Sequence, residues 1–175
     1  DGNFTELKSN ASRVGVKGDV ELDNGLSVFY TFEWQVDLTD LSGSDNIKSR
    51  NQFVGLKGDF GKVMLGRKDT TLKEVSKPVD LFNDYEADLK GLWKGENRMS
   101  DMIAYESPSF SGVKVGLTYV AEDEKDGEDG ISASIFYGDA KLKKSKVFAA
   151  ITFDQDIKGY DVQRAVVSGK VGSFT

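Results

Sequence analysis

One feature limits this chain more than any other: a period of two carried through about 13 consecutive residues, where an ordinary globular strand runs to roughly 5–6. From Leu26 the even positions read Leu26, Val28, Tyr30, Phe32, Trp34, Val36 and Leu38. The positions between them read Ser27, Phe29, Thr31, Glu33, Gln35 and Asp37. Successive side chains of a strand point to opposite faces, so this segment has one apolar face and one wetter face. Its length suits a tilted crossing of a bilayer, which a strand completes in about 9–11 residues.

The same alternation recurs along the chain. Val14, Val16, Val20 and Leu22 alternate with Arg13, Lys17, Asp19 and Glu21, and Val113, Val115, Leu117 and Tyr119 with Lys114, Gly116 and Thr118. Val147, Ala149, Ile151 and Phe153 alternate with Lys146, Ala150 and Asp154, although Phe148 falls on the polar side. Ala165, Val167 and Val171 alternate with Arg164, Ser168 and Lys170, while the runs near 50–60 and 131–137 are less clean. The pattern predicts about nine strands and no convincing helix outside the stretch after Lys68.

The connections also sort by length. Asp23-Asn24-Gly25 reads as a tight hairpin turn, because Asn and Gly accept positive φ. Asp59-Phe60-Gly61, Ser109-Phe110-Ser111-Gly112 and Asp139–Lys144 are further compact links, whereas Thr39–Lys48, Thr70–Asn97 and Glu122–Gly130 are longer. Short turns on one side and long loops on the other belong to an up-and-down barrel in an outer membrane. The acidic run from Glu122 to Asp129 fits no EF-hand spacing and reads as a solvated loop.

Composition narrows the chemistry. The 175 residues include no Cys and no His, which removes thiol nucleophiles, imidazole bases and the usual zinc ligands and excludes disulfides. No metal, cofactor or catalytic residue is expected. A net charge of −6 makes nucleic acid an unsuitable partner. A mean hydropathy of −0.41 leaves no room for a spanning helix but is ordinary for a barrel that alternates lipid-facing and water-facing side chains. The polar start Asp1-Gly2-Asn3-Phe4 carries no signal peptide and fits a processed or truncated beginning.

Several strings go beyond pattern. Ser12-Arg13-Val14-Gly15-Val16-Lys17-Gly18, Phe53-Val54-Gly55-Leu56-Lys57-Gly58-Asp59-Phe60-Gly61 and Leu65-Gly66-Arg67 resemble the early strands of general Gram-negative outer-membrane porins. Ile103-Ala104-Tyr105-Glu106-Ser107-Pro108 followed by Phe110-Ser111-Gly112 is similar to the strand and turn after their constriction loop, and Tyr160-Asp161-Val162-Gln163 with Gly169-Lys170 continues the likeness.

The resemblance implies an all-β fold: a transmembrane antiparallel up-and-down barrel, of which this chain supplies about nine strands of a sixteen-stranded, homotrimeric type. Residues 1–175 would form one partial barrel domain, with a loop at about 70–97 folded into the lumen. By resemblance, Arg13, Arg50 and Arg98 fall on the basic wall of the constriction, with Arg67 and Lys68 ranked below them. The loop would bring Asp80, Asp84, Glu86 and Asp88 to the other side, Asp84 and Asp88 first, although it lacks the Pro-Glu-Phe-Gly-Gly tip of the enteric members. The implied activity is passive diffusion of ions and small hydrophilic solutes across the bacterial outer membrane, among its lipid and lipopolysaccharide, with no enzymatic step. Two alternatives stay open at this point: a small self-contained outer-membrane barrel of eight or ten strands, acting as adhesin or anchor without an open pore, and a soluble β-sandwich or carbohydrate-binding module.

Overall fold

The computed structural model describes residues 5, 9–39, 46–83, 85, 87–122, 127–170 and 172. Nine strands form one sheet in sequence order: β1 (Arg13–Glu21), β2 (Ser27–Val36), β3 (Ile47–Gly58), β4 (Gly61–Asp69), β5 (Arg98–Glu106), β6 (Val113–Val120), β7 (Gly130–Tyr137), β8 (Val147–Ile157) and β9 (Tyr160–Gly169). Every neighbouring pair is antiparallel, and no pairing joins β1 to β9 among the described residues. The long alternation that begins at Leu26 becomes a strand of 10 residues, since pairing stops at Val36. No helix among the described residues is long and apolar enough to cross a membrane.

The hairpin turns follow from their residues. At the β1–β2 turn Asn24 and Gly25 take φ of 62° and 76°, and the Leu22 amide donates to the Leu26 carbonyl at 2.8 Å. The link between β7 and β8 is organised by Asp139. That carboxylate accepts the amides of Lys141, Lys143 and Lys144 at 3.1, 2.9 and 3.1 Å. At the opposite end of the sheet β8 and β9 meet in a tight turn at Lys158-Gly159, so the sorting of loops by length is not complete.

The two faces of the sheet are inverted relative to a water-soluble protein. On β6–β9 the apolar alternate residues stand free, with Ile151 67% and Val167 71% exposed. The small and polar residues between them are covered, Ser132 to 0% and Asp154 to 2% exposed. The cover is the segment between β4 and β5, which lies on the inner face. It opens with helix α1 (Thr71–Ser76), passes through a 3-10 turn at Lys77–Val79, and later forms the short helix α2 (Leu89–Leu92).

α1 is amphipathic. Thr70 caps it by accepting the Lys73 amide, and Leu72, Val75 and Ser76 are buried towards the wall. Val75 packs with Leu142, Phe148, Ala150 and Val166, flanked by Val79 and Phe136. Phe148 therefore breaks the alternation for a packing reason: the inner face beneath α1 is dry and takes an aromatic ring. Thr71 Oγ1 and Ser134 Oγ lie 2.6 Å apart, and the Leu72 amide donates to Ser132 Oγ at 3.2 Å. Gly116 makes room for this seat, because a Cβ there would collide with Thr71 Oγ1.

Candidate functional site

Between the inner faces of β1–β5 and the 70–97 segment lies a polar recess of about 360 Å³. Its lining includes Arg13, Arg50 and Arg98 from the strands and Asp80 and Asp88 from the segment. The structure thus brings together five of the residues singled out in the sequence. Asp84 and Glu86 lie outside the described residues.

Two β-bulges shape the wall. Register shifts between Phe32 and Trp34 and between Gly66 and Lys68 leave unequal numbers of residues on paired strands. A bulge re-aims side chains locally. At the first one both Arg50 and Asn51, consecutive residues, reach the recess, which strict alternation would forbid. Arg50 Nε donates to Glu33 Oε1 at 2.7 Å and its Nη1 to Gln35 Oε1 at 3.1 Å. Arg98 Nε donates to Asn51 Oδ1 at 2.9 Å, and its Nη2 lies 2.9 Å from Asp69 Oδ1.

The other sequence candidates are placed differently. Arg67 turns to Ser100 Oγ, 2.9 Å from its Nη1, and does not line the recess. Lys68 pairs with Glu74 of α1 at 3.4 Å and lines a separate, smaller cavity. Asp88 caps α2: its carboxylate accepts the Lys90 amide at 2.8 Å and lies 3.2 Å from Lys90 Nζ. Asp80 accepts the Leu89 amide at 3.3 Å. Asp80 and Asp88 therefore help to fold the segment as well as facing the recess.

Among the described residues, charges of the other sign stand on each side as well. The wall contributes Glu33 and Asp69, and the loop side contributes Lys73, Lys77 and Lys90. The signal for Lys73 and Lys77 was present in the sequence: they lie four residues apart, the spacing of one stripe of a helix, just after Asp69. Burial pulls the Lys77 ammonium down, but Glu74 and Asp69 beside it prevail and hold it above the ordinary lysine range.

A second cluster fastens the far end of the segment. Arg164 of β9 donates to Ser76 Oγ at 2.7 Å, to the Lys94 carbonyl at 2.9 Å and to Glu96. Its guanidinium also lies 5.8 Å from the centre of the Trp93 ring. Burial pushes the Glu96 carboxyl above the ordinary range, and the Arg164 contact only partly opposes it. Nothing in the alternation pointed to Arg164 or Glu96 as partners, since they are 68 residues apart. Among the described residues no group of His, Cys, Asp and Glu is arranged to hold a metal ion.

Comparison with known proteins comes to the same architecture. The family described as Gram-negative porin matches residues 1–175. Major outer membrane protein P.IB of Neisseria sicca is 34% identical over 131 residues, which cover 71% of this chain and 36% of that protein. Major outer membrane protein P.IA of Neisseria meningitidis serogroup C is 30% identical over 119 residues, covering 66% of this chain and 30% of its own. Among solved structures, OmpF of Salmonella typhi in complex with daunomycin superposes with a TM-score of 0.69 at 17% identity, over 94% of this chain and 56% of that one. An anion-selective porin from Comamonas acidovorans gives 0.63 at 21% identity, over 90% and 52%. The matches span about a third of the curated relatives and a little over half of the solved barrels.

Proposed function

Because this chain belongs to the Gram-negative porin family, we propose that it forms one side of a passive diffusion channel for ions and small hydrophilic solutes in the bacterial outer membrane. The observation that carries the reading is the inversion of the sheet. Apolar residues such as Ile151 and Val167 stand on the outside, and a charged recess lies on the inside. That is the arrangement of a barrel with lipid around it and water within it. On this reading Tyr30, Phe32, Trp34, Tyr119 and Ile151 meet lipid or a neighbouring subunit, and the 70–97 segment narrows the lumen.

The residues that would act on permeants are Arg13, Arg50 and Arg98 on the wall, with Asp80 and Asp88, and Asp84 and Glu86, contributed by the loop. Closely spaced charges in a narrow aqueous path orient polar solutes and order water, which favours them over greasy ones. Three such barrels would assemble as a homotrimer among outer-membrane lipid and lipopolysaccharide. A smaller closed barrel without a pore has no comparable support, since the family match runs through all 175 residues.

The test is single-channel recording in planar bilayers with the complete polypeptide extracted from its native membrane. Stepwise, long-lived conductance in simple salt is the expected result. A detergent-extracted, folded protein that inserts and yet conducts nothing would overturn the proposal.

A further inference from the structure

Asp69 is the last residue of β4 and is only 2% exposed, yet it belongs to no hydrophobic cluster. Three cations converge on it. Arg98, its register partner across the sheet, brings Nη2 to 2.9 Å from Oδ1. Lys73 and Lys77 follow at i+4 and i+8, with Nζ at 3.4 Å from Oδ1 and 3.0 Å from Oδ2. The stripe that carries the two lysines faces the recess, while Leu72, Val75 and Ser76 bind α1 to the wall. All four charged side chains line the recess.

The contacts are electrostatic more than directional. Oδ1 lies at ion-pair distance from both Arg98 and Lys73 but has no hydrogen bond of good geometry. Charge in this corner is also unbalanced at contact range. Among the described residues, the carboxylates at ion-pair distance from Lys68, Lys73, Lys77 and Arg98 are Asp69 and Glu74, with Glu33 and Glu96 acting on Arg98 and Lys73 from further off. Three cations gathered within reach of one oxygen pair form a ready site for a small anion, and the position is already taken by a carboxylate of the chain itself.

Building on the channel reading, we propose that Asp69 is a selectivity-determining residue that works as a tethered counter-anion, keeping Lys73, Lys77 and Arg98 from binding permeant anions. A carboxylate attached to the wall is always present at high effective concentration, so a free chloride or phosphate competes poorly for the same three cations. Its charge also offsets theirs at contact distance, well inside a Debye length, where mobile salt screens little. Removing the charge would free a cationic site in the narrow part of the path.

The experiment is Asp69→Asn in the complete polypeptide, recorded in planar bilayers across a potassium chloride gradient. The chloride-to-potassium permeability ratio should rise roughly three-fold at about 0.1 M salt and lose most of that gain near 1 M. Inorganic phosphate should reduce the current of the variant at a concentration roughly ten-fold below that needed for the wild type, as expected for an exposed cluster of charge-assisted donors. A conducting variant with wild-type reversal potential and wild-type phosphate sensitivity would show that Asp69 is only structural. If Asp69→Asn does not assemble, the double variant Lys73→Gln/Lys77→Gln serves. It leaves Asp69 underpaired and should move the reversal potential towards potassium, and no movement would overturn the idea. Failure of the channel reading would look different, because the wild type itself would not conduct.

Discussion

Replacing Arg164 with methionine tests how the inner segment is held. One guanidinium fastens both its beginning, at Ser76, and its end, at Lys94 and Glu96. A hydrogen bond to a charged group contributes about 1.5–3 kcal/mol. Removing one partner of a buried ion pair costs about 3–5 kcal/mol, because the other charge is stranded. Here that charge is Glu96, whose side chain is as enclosed as that of Arg164. Asp154 loses a neighbouring cation as well. α1 keeps its hold, since burying Leu72 and Val75 stabilises it by about 1.5–3 kcal/mol apiece. The two halves of the segment should therefore separate: α1 stays seated and residues 93–97 lift from the wall. In single-channel records the expected result is a larger mean conductance with new flicker, and trypsin should cut after Lys94 in the folded barrel. Adding Glu96→Gln removes the stranded charge and should recover about 1–2 kcal/mol of the loss, a coupling within the usual range for contacting residues. A quiet wild-type trace and an uncut Lys94 in the single variant would refute the assignment of Arg164 as the anchor.

Other outcomes follow from the same geometry. Gly116→Val should unseat Thr71 from Ser134 and raise conductance without loss of the barrel, whereas unchanged conductance would mean that the segment is held without this seat. Neutralising Arg13, Arg50 and Arg98 together should shift the reversal potential towards cations at low salt, and an unshifted potential would remove these residues from the ion path. Asp88→Asn should shift it the other way and cost little in stability, since asparagine is also a good N-cap; loss of folding would contradict this. Ile151→Arg on the outer face should destabilise the barrel by about 2–4 kcal/mol in a bilayer unfolding assay if it sits near the membrane midplane, and a neutral result would place that face away from lipid.

Local rules were enough for the frame of this protein. The period of two located the strands and assigned their faces, because pleating alone decides which side a residue takes. The turn at Asn24-Gly25 followed from the residues that tolerate positive φ, and the break in alternation after Lys68 marked the one stretch that forms α1. The blurred patterns near 50–60 and 131–137 have a physical cause in the fold. Phe53 packs inward against the cluster around Met64 and Met102, and Phe136 lies beside the one under α1. An inner face that a loop keeps dry accepts aromatic rings, so polarity no longer reports which side it is.

What the sequence by itself could not determine is which charges meet. Arg50 enters the recess only because a bulge adds a residue to β3, and Arg98 reaches Asp69 only through the register of β4 with β5. Arg164 finds Ser76 and Glu96 across 88 and 68 residues once the segment has docked. Alternation is a property of neighbours along the chain, whereas ion pairing depends on register, bulges and the seating of a loop, and those are settled by the whole sheet at once.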